Sequence, residues 1–251
     1  MAQSGENNNV SMAVRDGVPI ALGYLAVSFA FGIIATSAGL SAFETVLISM
    51  FNVTSAGQLA AVPIIAGGGG YIELIATQLV INLRYSLMST SLSQRLGASV
   101  RTKDRFVISF MNTDEIFATA ISKRSLLGSK YLYSLILFPY LGWTAGTALG
   151  AIAGNVLPQI LVSALGMALY AMFIAIVLPV AKTSASTALC VVVSALLSAI
   201  FYFVPYLSAI PSGFTIIIIA VSVSVVFAIA APMADEDDTD EASRSSLGGA
   251  T

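Results

Sequence analysis

An all-α polytopic membrane protein is the fold class this sequence predicts, and three observations predict it. Of 251 residues, 57% are hydrophobic and only 10% are charged, with a mean hydropathy of +0.90. A soluble domain needs a far more charged surface. Second, the apolar residues gather into successive runs, most of them near the ~20 residues that cross a bilayer. Third, the basic residues sit in short stretches between runs, as positively charged loops on one membrane face do.

The same composition excludes other classes. The one cysteine, Cys190, lies in an apolar run, and the chain has no histidine. A disulfide framework, thiolate zinc sites and imidazole chemistry are therefore excluded. Walker, GxSxG and dinucleotide motifs are absent, which removes ATP hydrolysis and acyl transfer by the chain itself. We expect no enzyme, no cofactor, no metal and no nucleic-acid partner. The polar N-terminus, MAQSGENNNV, lacks the basic start of a cleaved signal peptide.

Three domains of use follow: a polar cytoplasmic N-terminus over 1–17, a transmembrane domain over 18–232, and an acidic disordered tail over 233–251 containing ADEDDTDEASRSS. The first apolar run extends from Val18 to Leu40 after Arg15 and Asp16, with Pro19 suited to an early helical position. Its Gly23, Gly32 and Gly39 would admit a close helix neighbour or a ligand.

The run from Phe43 to Ile65 is interrupted by Asn52, Ser55 and Gln58. On a continuous helix, Asn52 and Ser55 share a face that Gln58 adjoins, and such amides point into the bundle. The GGGG at Gly67–Gly70 reads as a hinge or tight loop before a crossing over Tyr71–Leu92, which holds Asn82, Arg84 and Tyr85. Arg84 either snorkels, pairs with a carboxylate or clamps an anion.

The stretch FVISFMNTDEIFATA, Phe106–Ala120, places Asn112, Thr113, Asp114 and Glu115 in an apolar setting. Arg95, Arg101, Lys103 and Arg105 precede it, and Lys123, Arg124 and Lys130 follow. If both clusters are cytoplasmic, the stretch leaves and re-enters on one side. It is also too short for an ordinary crossing. Ile48–Ala60 (ISMFNVTSAGQLA) resembles Ile108–Ala120 (ISFMNTDEIFATA), a weak internal symmetry of the kind that brings broken or re-entrant pieces together near the membrane centre. Four cleaner crossings follow, at Tyr131–Ala153, Leu161–Val180, Thr187–Val204 and Phe214–Ala231, for six or seven in all with one or two broken or re-entrant segments. Gly142, Gly146 and Gly150 in the first of these form overlapping GxxxG patterns for a helix contact.

The polar set Asn52, Ser55, Gln58, Asn82, Arg84, Asn112, Thr113, Asp114 and Glu115 could receive a small zwitterion. Arg84 or helix N-termini would meet a carboxylate, a protein carboxylate would meet an ammonium, and apolar walls would take the side chain. Asp114 or Glu115 is also a candidate proton carrier. Structural ion pairing would give the same sequence.

Three stretches carry a family resemblance: GYLAVSFAFGIIATSAGLSAFET (Gly23–Thr45), NLRYSLMSTSL (Asn82–Leu92) and NTDEIFATA (Asn112–Ala120). In this order they resemble the AzlC family of branched-chain amino-acid permeases. The resemblance implies export of valine, leucine, isoleucine and sometimes methionine across the cytoplasmic membrane, energy from an ion gradient, and a small AzlD-type membrane partner. By the positive-inside reading we expect both termini in the cytoplasm. The family's small-residue and glutamine pattern falls at Thr54-Ser55-Ala56-Gly57-Gln58, with Thr54-Ser55 replacing the usual opening. Its Arg-His pair falls at Arg84-Tyr85, so tyrosine stands where histidine is common. Gln58, Arg84, Asp114 and Glu115 keep the pattern. A channel-like facilitator and a non-transporting scaffold subunit remain the alternative readings.

Overall fold

The computed structural model describes residues 6–154 and 184–230, with positions 160, 164, 167, 174, 177–179, 181 and 182 between them. Two compact units divide it: Met1–Ala175 with Pro211–Phe214, and Ile176–Ile210 with Thr215–Thr251. The predicted tail over 233–251 lies outside the described residues, as does most of the predicted crossing Leu161–Val180.

The described secondary structure is helical, as the composition predicts. In the first unit it comprises α1 (Val10–Ser37), α2 (Ala42–Phe51), α3 (Ser55–Ala66), α4 (Tyr71–Ser93), α5 (Thr102–Phe110), α6 (Asp114–Ile121) and α7 (Ser129–Ala153). Helix α8 (Ala185–Phe203) lies in the second unit, where Ser184 caps it by accepting the Thr187 N–H at 3.2 Å. Helix α9 (Ser212–Ala230) begins in the first unit and continues in the second. Among the described residues, α1, α7, α8 and α9 combine the length and hydropathy of membrane spans. Helix α4 has 23 residues, a rise of about 35 Å, and so also has the length to span.

Helix α1 begins eight residues before the predicted Val18. The side chain of Asn9 accepts the Met12 N–H at 3.0 Å and starts it there, as an asparagine N-cap does. Pro19 consequently sits inside α1 instead of in its first turn. Asp16, predicted to precede the helix, lies within it and pairs with Lys123 at 2.7 Å while accepting from the Tyr131 hydroxyl at 2.7 Å.

Helices α1 and α7 form the core of the first unit. Gly17 faces Leu135, Gly142 faces Ala21, Gly146 faces Leu25 and Ser28, and Gly150 faces Phe29. The two sets of numbers rise together, so the helices are parallel. At each point a Cβ would strike the other helix's backbone. The overlapping GxxxG pattern is thus the close contact predicted, and Gly32, against the backbone of Thr147 and Gly150, belongs to it. Buried Tyr131, Leu132 and Leu135 extend this contact into an apolar cluster with Ala13, Tyr24 and Trp143.

One end of the unit is tied by backbone pairing. Leu127 donates to the Arg95 carbonyl at 2.8 Å and accepts from Gly97 at 2.8 Å, and Asn7 donates to Leu126 at 2.8 Å. Arg95 also donates to the Lys123 carbonyl. Glu6 accepts the Ser99 N–H at 3.1 Å, and its bonds to Ser99 hold this exposed carboxyl below its ordinary pKa. The N-terminal segment, the α4–α5 loop and the α6–α7 loop therefore share one end, bringing both basic clusters together.

This placement fixes the path of the chain. Helix α1 leaves that end and α4 returns to it. Between them α2 and α3 go in and come back from the opposite end, turning through Gly67–Gly70, where Gly68 takes φ +70°. Helices α5 and α6 start and finish at the tied end. Their 9 and 8 residues rise only about 14 and 12 Å, too little to cross ~30 Å of hydrocarbon. Both predicted broken segments are thus re-entrant hairpins, entering from opposite ends.

Candidate functional site: two helix breaks against one polar helix face

The two hairpins break at matching places. Helix α2 ends at Phe51 and α3 begins at Ser55, while α5 ends at Phe110 and α6 begins at Asp114. Asn52 and Asn112, 60 positions apart, occupy the two breaks. The continuous helix on which Asn52 and Ser55 would share a face does not form. Thr54 starts a new helix instead, its hydroxyl accepting the Gly57 N–H at 3.4 Å. At the second break Asp114 and Glu115 occupy the first turn of α6, where the positive end of the helix dipole favours acidic side chains.

Both breaks are held by α4. Asn52 donates from Nδ2 to Gln78 Oε1 at 3.1 Å, and Asn112 donates from Nδ2 to Ser89 Oγ at 3.1 Å. Asn82 donates from Nδ2 to Gln78 Oε1 at 3.2 Å, and Gln78 donates from Nε2 to the Gly57 carbonyl at 2.9 Å. Positions 78, 82, 85 and 89 follow one another at helical spacing and form one polar face. Gln78 and Ser89 belong to the site although the sequence singled out neither. Their signal was this spacing, which only the whole face displays.

A cavity of about 140 Å³ lies between the breaks and α4. Phe51, Val53 and Phe110 give it an apolar wall, and Asn52, Asn82, Tyr85, Ser109, Asn112 and Thr113 are among its polar lining. A second cavity, of about 280 Å³, lies towards the tied end and is lined by Ser89, Leu92, Arg105 and Phe106 among others. Ser109 lines both. The Asn112–Ser89 bond joins a residue of one cavity to a residue of the other.

The remaining predicted residues fall around this cavity. Arg84 pairs with Asp114 at 2.8 Å, with side chains 52% and 46% exposed. Arg84 also lies over the Tyr85 ring, 4.9 Å from its centroid, and donates to its hydroxyl at 3.2 Å. Glu115 and Thr113 meet at Tyr24 of α1, whose hydroxyl lies 2.5 Å from Glu115 Oε2 and 2.6 Å from Thr113 Oγ1. Trp143 packs edge-on to Tyr24 at 5.2 Å. Ser55 opens α3 and is half-buried.

Gln58 is fully buried but does not line the cavity. It donates to Ser49 Oγ at 2.6 Å, and Ser49 shares a 2.6 Å bond with Thr147 of α7. Asn52, Asn82, Asn112 and Thr113 therefore meet in one place. Arg84 and Asp114 adjoin it through Tyr85, whereas Gln58 ties α3 to α2 and α7. Among the described residues no three His, Cys, Asp or Glu side chains gather as metal ligands.

The chain is 33% identical over 141 residues to an uncharacterized membrane protein of Archaeoglobus fulgidus, covering 55% of this chain and 60% of that protein. It is 28% identical over 149 residues to the inner membrane protein YgaZ of Escherichia coli, covering 58% and 61%. With the branched-chain amino acid transport protein AzlC of Bacillus subtilis it shares 24% over 141 residues, covering 55% of each. The chain thus spans about three fifths of the length of these curated relatives. No solved structure matches it. The sequence profile of the family described as AzlC protein matches residues 19–157, a range that holds both breaks, the polar face of α4 and all of α7, and the chain belongs to that family.

Proposed function

We propose that this chain is a secondary transporter, not an enzyme, that exports branched-chain amino acids across the cytoplasmic membrane at the expense of an ion gradient. The observation that carries the reading is the cavity where two oppositely entering hairpins break against the polar face of α4. Non-helical backbone at membrane depth is tolerated where it lines a cavity, and paired broken helices are a recurrent way to build a transporter site. Phe51, Val53 and Phe110 offer a branched apolar side chain its wall, and the amides offer polar contacts beside it. The name of the Bacillus subtilis relative, a branched-chain amino acid transport protein, supports the substrate class.

In this reading the site comprises Asn52, Asn82, Asn112 and Thr113, with Arg84, Asp114 and Glu115 as coupling groups and Ser55 and Gln58 as supports. The tied end, with its two basic clusters, is cytoplasmic. The larger cavity beside Arg105 is the approach from that side. Residues 18–232 form the membrane domain, with the N-terminal segment and the 233–251 tail in the cytoplasm. A half-exposed Arg84–Asp114 pair is costly against lipid. A small AzlD-type partner or a water-filled approach covers it.

Counterflow of labelled leucine in proteoliposomes, with and without that partner, tests the proposal. We expect saturable counterflow that Asp114→Asn reduces at least about tenfold, the scale of one charge-assisted bond, while the protein stays folded. No counterflow of leucine, valine, isoleucine or methionine by folded, partner-assembled protein would remove the substrate assignment. Linear, non-saturating flux would turn the reading towards a channel.

A further inference from the structure

Residues around the cavity between the breaks carry more acceptors than the protein fills. Asn82 Oδ1 and Asn112 Oδ1 are buried without a hydrogen-bond partner, and both residues line the cavity. Asn112 is itself only 3% exposed. The orientation of the Asn82 amide follows from a backbone anchor. The Gly57 carbonyl can only accept, so the amide facing it in Gln78 is Nε2, at 2.9 Å. Gln78 Oε1 must then be the acceptor for Asn52 and Asn82. Asn82 therefore spends its amide nitrogen on Gln78 and leaves its oxygen free.

A third acceptor adjoins them. Ser109 lines the same cavity and donates its hydroxyl proton to the Arg105 carbonyl at 2.7 Å, so its oxygen retains lone pairs. Helices α2 and α5 end at this cavity, and α3 and α6 begin beside it behind Thr54 and Thr113, so the helix ends bring partial charge of both signs and the side-chain oxygens decide what binds. Among the described residues no Asp or Glu lines the cavity. Asp114, the nearest carboxylate in sequence, is engaged with Arg84.

Resting on the amino-acid reading above, we infer that this cavity is the ammonium subsite, with Asn82 Oδ1, Asn112 Oδ1 and Ser109 Oγ receiving the three N–H groups of a primary ammonium. A carboxylate is repelled by the same oxygens. The Arg84–Asp114 pair thus stays outside the ammonium contact, and the substrate's charge is met by neutral dipoles, which release it without a competing ion pair.

Ligand series on the purified chain test this. Leucine, 4-methylpentanoate (no nitrogen), N-trimethylleucine (charge without N–H) and isopentylamine (no carboxylate) are compared by thermal stabilisation and by competition in counterflow. Wild type should prefer leucine at least about tenfold over both 4-methylpentanoate and N-trimethylleucine, the scale of hydrogen bonds to a charged group. Asn112→Leu and Asn82→Leu should collapse that preference to less than about threefold, and Asn112→Asp, which keeps an acceptor, should retain it. A general packing defect would weaken all ligands together and leave the ratios unchanged, which overturns the inference. Equal binding of leucine and its trimethyl form by wild type overturns it without any variant. Stabilisation by sodium alone, lost in Asn112→Leu with the amine preference intact, would make the cavity a metal-ion site and also overturn it. If leucine fails but isopentylamine binds in an Asn112-dependent way, the subsite stands and the amino-acid reading falls. If leucine counterflow persists with unchanged ratios in both leucine variants, the transport reading stands and the subsite falls.

Discussion

At the residue scale, Gln78 holds the site together. One side chain accepts from Asn52 and Asn82 and donates to Gly57, so it links the first break, the α3 backbone and the face of α4. Replacing it by leucine keeps the volume but strands two donors and a carbonyl in a largely buried place. We expect Gln78→Leu to lower stability by about 1–3 kcal/mol, the cost of buried groups left unpaired, and to weaken leucine binding as Asn52 and Asn82 lose their orientation. Thermal unfolding in detergent beside leucine counterflow checks both. In the sequence Asn82 stands out beside Arg84 and Gln78 does not, because a single glutamine in an apolar run has no distinguishing neighbour. Arg84 drew attention as a charge, yet it lies two residues from Asn82, on another face of α4, and is half-exposed. Charge is conspicuous in a sequence, whereas a face built of neutral amides shows only through its period.

At the element scale, the glycines divide by what stands opposite them. Gly146 packs against the Leu25 backbone and Ser28 of α1, whereas Gly23 has nothing within 4 Å of an added Cβ. Gly146→Val should destabilise the α1–α7 pair by about 1–3 kcal/mol or more through overpacking. Gly23→Ala should be neutral or stabilising by up to about 1 kcal/mol through helix propensity. Denaturation midpoints of the two variants give the comparison. The GxxxG spacing made the α7 side of this contact legible, because close approach needs small residues at regular intervals. It did not identify the partner, since on α1 Gly17 and Ala21 share the interval but Leu25 and Phe29 continue it with large side chains, and Gly32 falls outside it. The break near Asn112 was legible from length and flanking charge together. That near Asn52 was harder to place, because Phe43–Ile65 is long enough to span. Only the capping of α3 by Thr54 shows where the helix restarts.

At the scale of the whole first unit, the order crossing, hairpin, crossing, hairpin recurs with a period near 60 residues. Helix α1 begins at Val10 and α4 at Tyr71, α2 at Ala42 and α5 at Thr102, α3 at Ser55 and α6 at Asp114. Because α4 runs back to the end from which α1 sets out, the second copy is inverted. The Ile48–Ala60 and Ile108–Ala120 likeness is the part of this repeat that survives in sequence, where the breaks require the same turn chemistry. Elsewhere any apolar residue serves a crossing, and the likeness fades. Inversion predicts opposite sidedness for the two hairpin entrances, which can be measured directly. In a chain with Cys190 replaced by serine, single cysteines at Ala98, Arg124 and Gly70, all exposed positions, are labelled with a membrane-impermeant maleimide in intact cells and in inverted vesicles. Positions 98 and 124, at the tied end, should react in inverted vesicles and be protected in cells, as the basic clusters require of a cytoplasmic face. Position 70, in the turn between α3 and α4, should show the reverse pattern. Labelling of all three from one side would place both hairpins on the same face and remove the inverted arrangement. Reversed sidedness of the whole set would keep the inversion and overturn the orientation, turning the larger cavity beside Arg105 outward. The first hairpin would then provide the cytoplasmic entrance.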